Sequence, residues 1–367
     1  MSKQVSNPLP PGIYMASEVH GPLAFGAAQV PRVEETSLPE YIGTHCFICD
    51  APLTLLRPSP QQRTREDVMP NWLRRAFEMP NTESGINLPD GTPGPAYEDV
   101  LVPCCATCNN VAMSAVENRV ASAWRQGFHA FTQLSRSDIF LWTAKIVYGI
   151  LYRQTNPWNF KTNAASTPTR TEAAFEHFLL TRTLLKGFIK PVVVDAPASP
   201  FSILCFPLLT GSEPKLNFNF RDSPGWPLAI ALRMGPVGVI VSFEDCGMLE
   251  HWYDTNLKSI VGGHALHPLQ FAELVARAFY YGGLYGLNFS YTQLDSDTAL
   301  YLGLRPIPAE GYARSPEREA AMVAHYTGIA ELGELGKTGP GVSPTLLVSS
   351  DGRFVDMQIE EGVLYPL

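Results

Sequence analysis

Positive charge is scarce in this 367-residue chain: 27 lysines and arginines stand against 35 aspartates and glutamates, a formal net charge of −8. A surface built throughout to grip nucleic-acid phosphates is therefore excluded, because such binding draws on clustered cations. Long apolar runs are missing too. Nothing approaches the roughly 20 residues needed to span a bilayer, so no membrane partner is expected. The opening residues are polar and proline-containing, without the basic start and apolar stretch of a secretory signal, which points to the cytoplasm. No phosphate loop, dinucleotide fingerprint or serine elbow occurs, and there are no internal repeats.

Cysteine is sparse as well. The seven present form an odd number, and four of them fall in two Cys-x-x-Cys pairs, Cys46/Cys49 and Cys105/Cys108. Each pair can make a tight turn that aims two thiolates at one point. Together they predict a tetrahedral, closed thiolate shell of the structural Zn2+ type, with no open position for substrate. A redox pair or four buried thiols are the alternative readings of the same residues. Cys104 could replace Cys105 as a ligand, but only Cys105 keeps the two-residue gap to Cys108. Cys205 and Cys246 lie in apparent strands and read as core packing.

The rest of the composition is that of a folded chain, 45% apolar and 17% charged. Periodicity divides it into an extended arm over 1–40, a zinc-binding module over 41–130, a helical segment over 131–190 and an α+β domain over 191–367. The fold class expected is α+β. Apolar residues at Ala112, Val116, Val120 and Trp124 predict a helix over 110–127. Ser135 and Asp138 open a second helix through Ile139, Trp142, Ile146 and Ile150, and a third is expected over 171–187. Strands are expected at 191–194, 201–209, 215–220, 228–234 and 237–243, helices at Pro268 and Ser315-Pro316, and a hairpin at 345–359 around Asp351-Gly352.

The segments Cys-Phe-Ile-Cys at 46–49, Arg-Glu-Asp-Val-Met-Pro-Asn-Trp-Leu at 65–73, and Cys-Ala-Thr-Cys-Asn-Asn at 105–110 with Met113, Ser114 and Glu117 carry a resemblance. They are similar to a branch of HNH (ββα-metal) endonucleases with a four-cysteine zinc site, and the likeness extends through Leu141–Lys145 to about residue 153. In active members the resemblance implies an acid that holds a catalytic divalent metal, followed by a histidine that activates water. Glu66 takes the acid's place. Asp67 stands where the histidine would be, and no histidine occurs between Cys46 and Trp124. An aspartate of ordinary pKa is a poor base near neutrality. The expectation is thus a zinc-binding HNH-like protein, with Mg2+ or Mn2+ as the ion for Glu66/Asp67 and phosphodiester cleavage lost or altered.

Between Arg57 and Arg75 five arginines face two acids, a local net of +3, and Arg63, Arg65, Arg74 and Arg75 are the candidates for phosphate contact. Nucleic acid is one expected partner. The alternative is a non-enzymatic, zinc-stapled binding or assembly protein that meets a protein partner through 191–367. Four minor features read blandly. Lys145 is expected to reach water from an apolar helix, and Glu117 to be a solvated surface acid. His264 and His267 are expected to make helix-entry contacts, and Glu244-Asp245 to serve a turn.

Overall fold

Ten consecutive residues of one helix, 141–150, are buried, which happens only when packing surrounds a helix on every side. The computed structural model describes residues 9–19, 44–79, 97–155, 158–159, 164–165, 179–223, 229–284, 287–308, 315–335, 345–349, 352–363 and 365. The loop that the glycine, proline, asparagine and aspartate content of 81–95 predicts, and the start of the third helix, 171–178, lie outside them.

Strand β1 (Gly12–Met15) opens the described chain. After the first cysteine pair come β2 (Arg63–Asp67), helix α1 (Asn71–Ala76) and β3 (Leu101–Cys105). A π-helical turn over Cys108–Met113 leads into α2 (Ser114–Arg125) and the short α3 (Phe128–Thr132). The buried helix is α4 (Arg136–Thr155). Its start is capped as the sequence predicts, with Ser135 Oγ accepting the Asp138 N–H at 3.0 Å. The pair β4 (Trp158–Asn159) and β5 (Ala164–Ala165) follows, then α5 (Leu179–Leu184) and a 3-10 turn over Leu185–Phe188.

The remaining strands build two four-stranded sheets. One is antiparallel, a meander of β8 (Phe218–Asp222), β9 (Ala229–Met234) and β10 (Val237–Ser242), with β7 (Ser202–Pro207) pairing beside β10. Between β10 and the next helices, the turn at Glu244-Asp245 is buried, with Glu244 4% and Asp245 2% exposed. Burial pushes the Glu244 carboxyl up to about 8, while it accepts the Thr181 N–H at 3.0 Å. Asp245 is pushed up to about 6 by burial and accepts the N–H groups of Gly247 and Leu249, which opens α6 (Met248–Asn256). The turn is thus an interior junction. Cys246 sits in it with φ 52° and is not in a strand.

Helices α7 (Lys258–Val261) and α8 (Pro268–Leu284) come next. His267 enters α8 as expected, its Nδ1 accepting the Leu269 N–H at 3.2 Å. The second sheet combines β1, β6 (Pro191–Asp195), β12 (Leu300–Pro308) and β11 (Leu287–Asp295) in that order. Both β1 and β12 run parallel to β6, while β11 runs antiparallel to β12. Helices α9 (Pro316–Thr327) and α10 (Ala330–Leu335) complete the element order. This mixture of helices with two sheets is the α+β class.

One expectation needs correcting. The strand expected at 215–220 begins only at Phe218, because Pro214–Leu216 forms a 3-10 turn that Asn217 locks by bonding both the N–H and the C=O of Gly211. Within the span 345–359, Val348 bridges Phe354 antiparallel, flanked by Val355 N–H to Leu347 O at 3.0 Å and Ser349 N–H to Arg353 O at 2.8 Å, while residues 350–351 lie outside the described residues.

One apolar core joins Phe47, Val102 and Val120 near the cysteines to Trp142 of α4, Leu232 and Val239 of the meander, and Leu302 of the other sheet. A second core lies on the meander's far face, where Leu204, Phe206 and Ile240 meet Phe271 and Val275 of α8 and Val323 of α9. No helix among the described residues is long and apolar enough to cross a membrane.

Helix α4 approaches the end of β2 closely at Gly149. A Cβ built there would lie 2.7 Å from Val68 Cγ2 and 3.0 Å from Cγ1. Alanine at a helix interior normally gains about 0.5–1 kcal/mol over glycine. Overpacking against a stiff, buried valine costs about 1–3 kcal/mol and wins. Gly149→Ala is therefore expected to destabilise the chain in urea unfolding, and Val68→Ala in the same chain to relieve most of the loss. Equal cost in both backgrounds would refute the contact as the cause.

Candidate metal centre and the adjoining cleft

The first cysteine pair sits in a turn closed by Cys46 N–H to Ala51 O at 3.0 Å and Asp50 N–H to Cys46 O at 2.9 Å. Phe47 N–H donates to Pro103 O at 3.1 Å, so this turn is pinned to β3. The second pair begins on the last residue of β3 and ends on the first of the π-helical turn. Its backbone is held by Ala106 N–H to Gln62 O at 2.9 Å and Thr107 N–H to Pro60 O at 3.2 Å. Cys108 N–H points at Cys105 Sγ, 3.3 Å away, a contact that favours a thiolate.

These constraints bring Cys46, Cys49, Cys105 and Cys108 together with all four sulfurs within 4.8 Å of one another. A tetrahedral shell with metal–sulfur bonds of about 2.3 Å puts its sulfurs ~3.8 Å apart. Cys49 Sγ and Cys105 Sγ are 3.8 Å apart. The four could hold a metal ion, and their geometry is compatible with a structural one such as Zn2+. Cys104 also lies close, its sulfur 3.6 Å from that of Cys46. Asp50, just past the first pair, is ion-paired with Arg182 at 2.7 Å and with Lys186, which ties the turn to α5 and the 3-10 turn after it.

Antiparallel β2 and β3 then place the acid pair. Residues alternate along a strand, so Glu66 turns inward and Asp67 outward. Glu66 is 7% exposed and pairs with Lys145, which reaches it from α4. The same ammonium bonds Glu117 Oε1 at 2.6 Å and the Asp67 carbonyl at 2.9 Å. Lys145 does not reach water; it is 0% exposed, and Glu117 is its counter-ion rather than a solvated acid. The reason is the full enclosure of α4, which leaves the side chain no path outward.

Burial works to lower the Lys145 pKa, but Glu66 and Glu117 more than offset it and hold the amine protonated. Burial raises Glu66, and Lys145 counters that only in part.

Asp67 accepts from Asn71 Nδ2 at 2.6 Å and lies 3.6 Å from Arg74. Arg74 also faces Glu98 at 3.5 Å. Three oxygens of hard-cation type thus converge on an ammonium, and the two carboxylates of 66 and 67 diverge. As the side chains stand, they do not fit a shared Mg2+ or Mn2+.

Of the two asparagines after the second pair, Asn109 donates to Thr64 Oγ1 and Arg65 O, both at 3.0 Å. It fastens the π-helical turn to β2 instead of capping a helix. Asn110 is exposed.

A cavity of about 590 Å³ opens beside the acids, with Arg65, Arg75 and Arg125 on its walls and Trp72 and Trp124 packed 5.4 Å apart. All three arginines are exposed. Arg63 is half-buried on the same strand and is not among the cavity's lining, and Arg74 is occupied by acids. Sequence reasoning missed Arg125, which lies far from the arginine-rich stretch, and misassigned Lys145. The only sequence signal for Lys145 was a lone charge inside a run of apolar residues. Comparison with protein-family models, with curated proteins and with solved structures finds no match for this chain.

Removing the ammonium leaves the buried Glu66 facing the half-buried Glu117 with no counter-ion, a loss of about 3–5 kcal/mol. Lys145→Met is expected to cost that much at pH 8. With Lys145 gone, the folded pKa of Glu66 stands further above its unfolded value. The variant's stability is then fully present below the unfolded carboxyl pKa and is lost as pH rises through the folded one. Urea unfolding at pH 5 and pH 8 checks this: a deficit that does not shrink at pH 5 would be inconsistent with a buried-carboxylate origin.

Proposed function

We propose that residues 46–153 form a Zn2+-stapled module on the plan of an HNH nuclease whose hydrolytic centre has been replaced by an ion cluster. In this reading the chain binds nucleic acid without cleaving it. The observation that carries the loss of cleavage is Lys145. Its ammonium takes the oxygen ligands a catalytic divalent ion would need, and Asp67, in the histidine's place, is engaged by Asn71 and Arg74. Glu66 then acts as a buried counter-ion and not as a metal ligand.

The order of elements supports the kinship: knuckle, β2 with the acid pair, β3, knuckle, helix. Zn2+ is the ion favoured for the thiolates, since soft sulfur at tetrahedral spacing suits it and the closed shell leaves it a structural role. Arg65, Arg75 and Arg125 support phosphate as the group met in the cleft. The acids there are internally compensated by Lys145 and Arg74, so the exposed guanidinium groups set the sign of the field at the mouth.

Metal analysis of the reduced chain is expected to give one Zn2+ per molecule, lost in Cys108→Ser. Incubation with single- and double-stranded DNA and RNA in Mg2+ or Mn2+ is expected to yield no cleavage. Binding to those nucleic acids is expected to weaken with salt. Replacing Arg65, Arg75 and Arg125 together by alanine is expected to reduce the slope of log K against log salt by about 2–3. Divalent-dependent cleavage abolished by Glu66→Ala would overturn the loss of activity, and a salt slope indifferent to the three arginines would overturn the cleft as the contact.

A further inference from the structure

A guanidinium cannot shed its proton near neutral pH, and once removed from water it needs acceptors for its N–H groups or an opposite charge beside it. Arg233 of β9 has neither in full. It is 1% exposed. One nitrogen, Nη2, donates to Leu216 O at 2.6 Å. Nε and Nη1 are wholly enclosed and meet no acceptor among the described residues.

The strand explains the direction of the side chain. Ile230, Leu232 and Met234 face the core shared with the cysteine module, while Ala229 and Ala231 face the core under α8. By alternation Arg233 falls on the α8 side.

What surrounds it there is more donor than acceptor. Among the described residues the titratable groups whose charge reaches Arg233 are Tyr365 and His267, and the carboxylate that acts on this group, the exposed Glu360, does so through His267. His267 is 2% exposed, and burial, together with the Arg233 charge, lowers its pKa, with Glu360 acting the other way. Because its Nδ1 accepts from Leu269, its proton resides on Nε2, a donor. The Tyr365 ring stands edge-on to His267, centroids 4.5 Å apart, and its hydroxyl oxygen already accepts the Glu360 N–H at 2.9 Å, which leaves its own proton to give. The start of the 17-residue α8, at Pro268, adds the positive end of a helix dipole.

We infer that the enclosure at Arg233 is an anion site for one small monovalent anion, a halide or a carboxylate group, bound by Arg233 Nε and Nη1 with His267 and Tyr365 beside it. The tight burial restricts it to small anions. Nothing in this assignment depends on the metal centre or the cleft.

Thermal unfolding of the full chain at constant ionic strength, with sodium gluconate replaced stepwise by sodium chloride or sodium formate, tests it. The melting temperature of the wild type is expected to climb with chloride or formate, as mass action requires, and to stay flat in Arg233→Met. Methionine removes the charge and keeps bulk, so in gluconate the variant is expected to melt no lower than the wild type. A wild-type melting temperature indifferent to both anions overturns the site, and so does an equal rise in Arg233→Met. Should that variant fail to fold, Arg233→Lys keeps the charge but loses the fork. It is then expected to need about tenfold more anion for the same rise, and an unchanged requirement overturns the assignment.

Discussion

An ammonium held between two carboxylates at the centre of the protein sets the terms for the elements around it. Lys145 draws Glu66 from β2 and Glu117 from α2, and takes the backbone carbonyl of Asp67 as well. Two segments far apart in sequence, β2 and α2, must therefore keep register with α4. The low dielectric that makes such a group costly when unpaired also strengthens it when paired. Most of its worth is specificity: any shift of α4 that parted the charges would leave all of them dry and unbalanced.

The thiol cluster acts beside it through chain connectivity. A metal ion held by the four thiols would close a loop of more than fifty residues, where a crosslink restricts the unfolded chain strongly. The two constraints are adjacent, since Cys105 ends the strand that pairs with Glu66 and Asp67. Asp50 then extends the same fixation to α5 through Arg182 and Lys186. Metal centre, ion cluster and helical segment form a continuous chain of contacts.

What could be read from the sequence follows the range of the forces involved. The four thiols were legible because metal geometry leaves a local imprint, two residues between partners. Strands β7, β9 and β10 and helices α4, α8 and α9 were legible from periodicity, caps and prolines. Strands β11 and β12 were not anticipated, for their residues carry no turn signal of the Asp-Gly kind and the pairing of β12 with β6 depends on long-range contacts. Lys145 was visible but misjudged. A lysine in an apolar helix is ordinarily a side chain that finds water, and only tertiary structure reveals that both counter-ions come from elsewhere. Asn109 is likewise fixed by tertiary contacts, its partners lying 44 and 45 residues back.

The single core that Phe47, Val120, Trp142, Leu232 and Leu302 share has a consequence for how this chain can be handled by evolution or by engineers. Small metal-stapled fingers travel between proteins as cassettes, because each closes its own interior. Here the indole N–H of Trp124 bonds Met234 O at 2.8 Å, and Phe77 lies against Phe218 with ring centres 5.3 Å apart. Cutting the thiol-bearing stretch away would bare apolar faces on both pieces. The stretch can therefore be moved only together with the sheet it packs on.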